Sequence, residues 1–124
     1  MGNKLSAKNL KIDIALVNTA KIKSLNRSYF NKNRTTDIIA FNMNEDLPDG
    51  TYFLGELIIS YPQIVKQAKE YSVSEAEEMA RVVAHGVLHL LGYEDTLPHQ
   101  RRKMKKTEDQ VLARLRKSSN PKGV

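Results

Sequence analysis

The sequence predicts an α+β domain: a small mixed β-sheet of three or four strands packed with helices, one of them a metal-binding helix at a cleft. Three observations carry that expectation. Short runs rich in branched and aromatic residues at 11–17, 37–43 and 52–60 read as strands. The segments between and after them place apolar residues at helical spacing. The strand–helix–strand order at the start predicts a right-handed parallel crossover, and the short turn before the third run predicts an antiparallel hairpin.

The first nine residues are polar and read as a flexible segment before a single domain over 10–116. Lys11-Ile-Asp-Ile-Ala-Leu-Val17 alternates as a strand does, and Asn18-Thr19 offers a helix cap. Ala20, Ile22, Leu25, Asn26 and Tyr29 then follow helical spacing to about Phe30. After a polar loop, Asp37 to Met43 is expected to be a strand buried on both faces. Glu45-Asp-Leu-Pro-Asp-Gly50 is turn chemistry, and Tyr52 to Ser60 a third strand. Pro62 suits the first turn of a helix to about Tyr71, and Ser74-Glu-Ala-Glu77 resembles a capping box opening a long helix. Pro98 opens a last helix through about Arg116, and residues 117–124 read as a tail.

At 124 residues the chain suffices for one core and not two. It has no cysteine, which excludes disulfides and thiolate metal sites and fits a cytoplasmic protein. No apolar run is long enough to span a bilayer, and no membrane partner or nucleotide cofactor is expected. Residues 1–94 hold 11 basic and 11 acidic side chains, whereas 95–124 hold 9 and 3, so the whole net charge of +6 sits at the C-terminal end. Either that end is a solvated helix face, or it meets an anionic partner such as nucleic acid.

The chemistry concentrates in His85-Gly-Val-Leu-His89-Leu-Leu-Gly92-Tyr-Glu-Asp95. On a helix, positions i and i+4 lie about 5–6 Å apart between Cβ atoms, so both rings reach one ion. Gly92 can take the left-handed conformation that ends a helix and return Asp95 to that ion. Two nitrogens and one oxygen leave a fourth tetrahedral position open, the pattern of a catalytic zinc. In H-E-x-x-H peptidases the residue after the first His is the glutamate base; here it is Gly86, which argues against peptidase chemistry. Gly86 costs about 1 kcal/mol relative to Ala inside a helix, which implies either close approach of the sheet or substrate, or loose packing.

Four ordered segments carry a family resemblance. These are Leu25-Asn26, Thr36-Asp37-Ile-Ile-Ala-Phe41, Leu54-Gly55-Glu56-Leu-Ile-Ile-Ser60, and the His85–Tyr93 stretch. Over roughly residues 10 to 112 they resemble the bacterial YbeY family, metal-dependent endoribonucleases of ribosomal RNA maturation. The resemblance implies a mixed sheet with packed helices, one zinc ion or another divalent metal at a cleft, and hydrolysis of single-stranded RNA. It further implies 16S rRNA 3′-end processing and ribosome quality control, with the ribosomal subunit as partner. His85 and His89 fall on the family's first two metal ligands. The third, usually His, is Asp95 here, with His99 the substitute if Asp95 does not serve. A basic residue common after the family's loop Tyr is replaced by Phe30, leaving Arg34 or Arg27 to supply that charge. The strand and helix with which family members usually begin are not evident.

On this reading His85, His89 and Asp95 hold the metal, and His89, Asp37 and Glu56 belong to the catalytic group. Asp37 and Glu56, near the ends of central strands, either orient an imidazole or act as base, or simply cap strand ends. Lys32, Arg34, Arg101, Arg102, Lys105 and Lys106 would guide the RNA backbone, and Tyr93 would stack on a base or merely pack. The rival reading is an RNA-binding ribosome assembly factor with a structural metal and little or no nuclease activity.

Overall fold

The computed structural model describes residues 9–31 and 36–119; residues 1–8 and 120–124, in the expected leader and tail, lie outside them. β1 (Leu10–Val17) leads through α1 (Thr19–Phe30) to β2 (Ile38–Asp46) and β3 (Tyr52–Ser60). The helices α2 (Tyr61–Glu70), α3 (Glu75–Leu90) and α4 (Pro98–Ser119) follow. Each start has a local cause. Asn18 Oδ1 accepts from Lys21 N at 2.8 Å, Ser60 caps α2 ahead of Pro62, and Ser74 Oγ accepts from Glu77 N at 3.0 Å. The last helix continues past its expected end, to Ser119.

The sheet order is β1-β3-β2. The hairpin forms as expected, with β2 antiparallel to β3, but the parallel partner of β1 is β3 rather than β2. The crossover therefore spans α1 and β2 together. The five residues between β2 and β3 force them side by side, and the apolar β3 takes the protected centre. β2 is accordingly an edge strand. Its second half, Asn42–Asp46, is mostly polar and exposed rather than buried on both faces, and it bulges where Asn44 adopts φ 49°.

The core forms where α3 crosses one sheet face. Leu54, Leu57 and Leu90 make one cluster, and Ile59, Ile64 and Val82 another. Gly86 is the contact point. A Cβ there would lie 2.6 Å from Ile38 Cδ1 and 2.8 Å from Leu57 Cδ2, so the sheet's close approach explains the glycine. Gly55 answers from the sheet side, where a Cβ would fall 2.2 Å from the Phe41 carbonyl oxygen. The outer side of α3 is covered by α4 through Met104, Glu108 and Leu112, an i, i+4, i+8 seam. Among the described residues no helix is long and apolar enough to cross a membrane.

Candidate metal centre and cleft

The end of α3 is built by the turn that the sequence anticipates. Gly92 has φ 102°, its N–H donates to the His89 carbonyl at 3.0 Å, and Tyr93 N–H donates to the Leu88 carbonyl at 3.0 Å. That is a Schellman closure, and it redirects the chain back toward the histidine face. Asn42 Nδ2 donates to the Leu90 carbonyl at 2.8 Å, tying the same helix end to the edge strand.

Three donor atoms converge at this corner. His85 Nε2 and His89 Nε2 are 3.1 Å apart, and Asp95 Oδ2 lies 3.6 Å from the first and 3.4 Å from the second. A tetrahedral ion with bonds of about 2.0–2.1 Å requires ligand–ligand edges of about 3.3–3.4 Å. The observed triangle fits that requirement, and its donors are the imidazoles and carboxylate that zinc accepts. Among the described residues no other group of three such side chains converges in this way. His99, on the exposed first turn of α4, is not part of it.

Sequence reasoning missed the residue beneath the triangle. Glu108, 3% exposed, accepts a hydrogen bond from His85 Nδ1. The contact fixes the ring and leaves Nε2 as the donor toward the cleft. The Glu108 hydrogen bond outweighs partial burial and holds the His85 pKa above its ordinary 6.5. One signal was present: Glu108 is an acid on the apolar seam of a largely basic helix, between Met104 and Leu112.

The triangle opens into a cleft of about 740 Å³ between α3 and the β2 side of the sheet. Phe30, Asp37, Asn42, Arg81 and the three donor residues are among its walls. Asp37 is therefore brought to the site, although its hydrogen bond comes from Gln67 Nε2 (3.3 Å) and not from an imidazole. Glu56 is not brought there. It precedes Leu57 on β3, successive strand side chains face opposite ways, and Leu57 packs under α3. Phe30 stacks on Phe41 with centroids 6.0 Å apart and gives the cleft an apolar wall. Gln67 Nε2 also donates to Glu78 at 2.7 Å, and Glu78 is gripped by Arg81 through Nε at 3.1 Å and a terminal nitrogen.

The expected RNA-guiding cations separate into classes. Lys32 and Arg34 lie outside the described residues. Arg27 is exposed on α1 and does not line the cleft. Arg101 donates to the Thr96 carbonyl at 2.8 Å and the Asp95 carbonyl at 3.4 Å, bracing the turn that presents Asp95. Lys105 pairs with Asp109 at 3.0 Å in solvent. Arg102 and Lys106 are exposed beside them, so α4 presents a basic surface adjoining but outside the cleft. Tyr93 lies outside the cleft as well, with Lys103 Nζ 5.9 Å from its ring centre.

Three converging donors on a helix and its return turn, open to a polar cleft in an α+β domain, are an arrangement that could hold a metal as metallohydrolases do. The comparisons make this specific: the family described as Endoribonuclease YbeY matches residues 2–116, and the chain belongs to that family. It is 41% identical over 118 residues to the endoribonuclease YbeY of Thermodesulfovibrio yellowstonii, covering 92% of this chain and 74% of that protein. The Syntrophomonas wolfei protein of the same name is 33% identical over 116 residues, covering 87% and 74%. A solution structure from Thermotoga maritima superposes with a TM-score of 0.56 at 28% identity, covering 96% of this chain and 79% of that one.

Proposed function

We infer that the protein is a metal-dependent endoribonuclease that cuts single-stranded RNA. The observation that carries this reading is the His85–His89–Asp95 triangle, whose edges match one tetrahedral ion and whose remaining side faces a cleft. Zinc suits the donors best, one ion per chain, with another divalent metal as substitute. When bound, such an ion polarises a phosphoryl oxygen and acidifies water at neutral pH.

The chain's own groups do the rest. Glu108 takes the Nδ1 proton of His85 in a hydrogen bond, so that Nε2 stays a lone-pair donor. Asp37, on the facing wall, accepts a proton from the attacking water. Phe30 and Ile39 exclude water from one side of the bound strand. Arg101 holds the Asp95 turn, while Arg102, Lys105 and Lys106, with Lys32 and Arg34, draw the phosphate backbone toward the cleft.

The names of the relatives support an RNA substrate, and maturation of the 16S rRNA 3′ end on the cytoplasmic ribosomal subunit is the setting we propose. The assembly-factor alternative also holds a metal, so the Asp95 distances support Asp95 as a ligand under either reading, and the relatives' names favour the nuclease.

Cleavage of single-stranded ribosomal RNA with and without added zinc, beside a His89→Ala control, tests the reading. Zinc-dependent cutting lost in the control is expected. Equal activity in both proteins, or none in either, overturns it.

A further inference from the structure

Among the described residues lining the cleft, Arg81 is the one lysine or arginine. Asp37 and Asp95 are the carboxylates there, so without Arg81 the described walls would repel an RNA backbone. Arg81 precedes His85 by one helical turn, and Arg81, His85 and His89 run i, i+4, i+8 along one stripe of α3. Four residues advance the axis by about 6 Å, which puts Arg81 immediately beside the triangle rather than in it.

Its pose is set from below. Glu78, 1% exposed, takes two of the five guanidinium N–H groups and is itself fixed by Gln67. Arg81 lines the cleft with its side chain 31% exposed, and its guanidinium carbon lies 5.6 Å from the Tyr71 ring centre. Burying a carboxylate to hold an arginine is a poor source of stability, since apolar packing of the same volume serves as well or better. The arrangement does make sense as preorganisation: a planar fork is held open toward an anion before that anion arrives.

We propose that Arg81 is a phosphodiester-binding subsite, whose guanidinium takes the non-bridging oxygens of an RNA phosphate next to the His85–His89–Asp95 group. The inference rests on the endoribonuclease reading and deepens it by naming the residue that offsets the backbone charge inside the cleft. It also accounts for how a site walled by Phe30 receives an anion. Glu78 fixes this fork before an anion arrives, whereas Arg102 and Lys106 are exposed side chains on α4.

The test uses the full chain and two variants. Arg81→Lys keeps a cation against Glu78 but loses the planar fork. The double variant Glu78→Gln/Arg81→Gln removes both charges, so no unpaired carboxylate is buried. Melting temperature and zinc affinity are measured first and are expected to stay close to wild type in both. Binding of a labelled single-stranded RNA oligonucleotide is then followed against salt in the metal-free protein, and KM is measured with zinc. The double variant should bind at least about tenfold more weakly, with the log–log salt slope smaller by about 0.7 for one lost phosphate contact. Arg81→Lys should keep most of the slope and raise KM several-fold.

Wild-type affinity, slope and KM in a folded, zinc-binding double variant would make Arg81 a brace for Glu78 and overturn the proposal. If the double variant does not fold, an unchanged KM in Arg81→Lys has the same force. A wild type that cleaves RNA beside indifferent variants sinks this inference alone. A wild type that neither binds nor cuts RNA sinks the endoribonuclease reading and this inference with it.

Discussion

Glu78 and Glu108, 1% and 3% exposed, each support one member of the same α3 stripe, but Glu78 grips Arg81 and Glu108 grips His85. The carboxylates are buried alike, yet their partners differ in kind. Arg81 is a cation at any pH a folded protein meets, so Glu78 sits in a permanent ion pair. His85 is neutral or charged according to pH and to what occupies its Nε2, so Glu108 supports a group whose state changes. The difference teaches that one helix face combines a fixed charge with a switchable donor, each set by a buried acid from a different direction. Glu78 acts from within α3, and Glu108 from α4.

The comparison breaks most visibly at Glu78. Glu78→Ala leaves Arg81 without its carboxylate and deprives Gln67 of an acceptor, and removing one partner of a buried pair costs about 3–5 kcal/mol. Partial exposure of Arg81 places the expected loss near the lower end, about 3 kcal/mol, read as a drop of about 10 °C in melting temperature. A loss below about 1 kcal/mol would mean that the pair is solvated and sets no pose.

Glu108→Gln tests the other arm and should act on metal more than on folding. The amide still reaches the ring, but it presents no charge to raise the basicity of His85. Zinc affinity is expected to fall about 10–100-fold, as for lost partners of ligating histidines. Stability of the metal-free protein should change by about 1 kcal/mol. Dye competition for zinc beside a urea melt separates the two. Loss of folding with unchanged affinity would make Glu108 a packing residue.

The two pairs should also titrate with opposite sign in the metal-free protein. Burial pushes Glu78 up, but hydrogen bonds from Arg81 and Gln67 outweigh it and hold its pKa below the ordinary 4.5. Its contribution is therefore present above that value and lost as pH falls through the folded pKa. The His85 pKa is held above 6.5, chiefly by Glu108. Its contribution is complete below 6.5 and is lost as pH rises through the raised value. Metal-free stability should peak between these limits, and Glu108→Gln should flatten only the alkaline side. Zinc affinity should move the other way, rising as pH climbs through the His85 pKa, because the ion needs Nε2 unprotonated.

How much of this was legible depended on distance along the chain. His85, His89, Gly92 and Asp95 lie within eleven residues, where helix geometry and one left-handed glycine fix the spacing, and they met as expected. Glu108 is 23 residues from His85 on another helix, and nothing local states how α3 and α4 cross. Asp37 and Glu56 looked alike as strand-end acids, but only strand order and the in–out alternation of β3 could tell which faced α3. The same ignorance of strand order assigned β1's parallel partner to β2. Nothing local marks Arg81, because the burial of Glu78 that holds it is a tertiary fact.

The finest distinction concerns Arg101 and Arg102, adjacent exposed cations that sequence alone treats as equals. Both line the basic groove of α4, but Arg101 also donates to the carbonyls of Thr96 and Asp95. Hydrogen bonds of this exposed kind are worth about 0.5–1.5 kcal/mol, or roughly two- to tenfold in an equilibrium constant. Arg101→Ala should therefore weaken zinc binding a few-fold by loosening the turn that presents Asp95, with the melting temperature almost unchanged. Arg102→Ala should leave zinc affinity untouched and reduce only the salt-dependent part of RNA binding, by about one phosphate contact. Equal effects on zinc would mean that the turn holds its shape without Arg101, through Gly92, the Leu88 and His89 carbonyls, and Gln100, which donates to Glu94 at 3.0 Å and accepts from Leu97 N at 2.9 Å. The Schellman closure and Gln100 would then return Asp95 to the histidines, and both arginines would belong to the RNA surface.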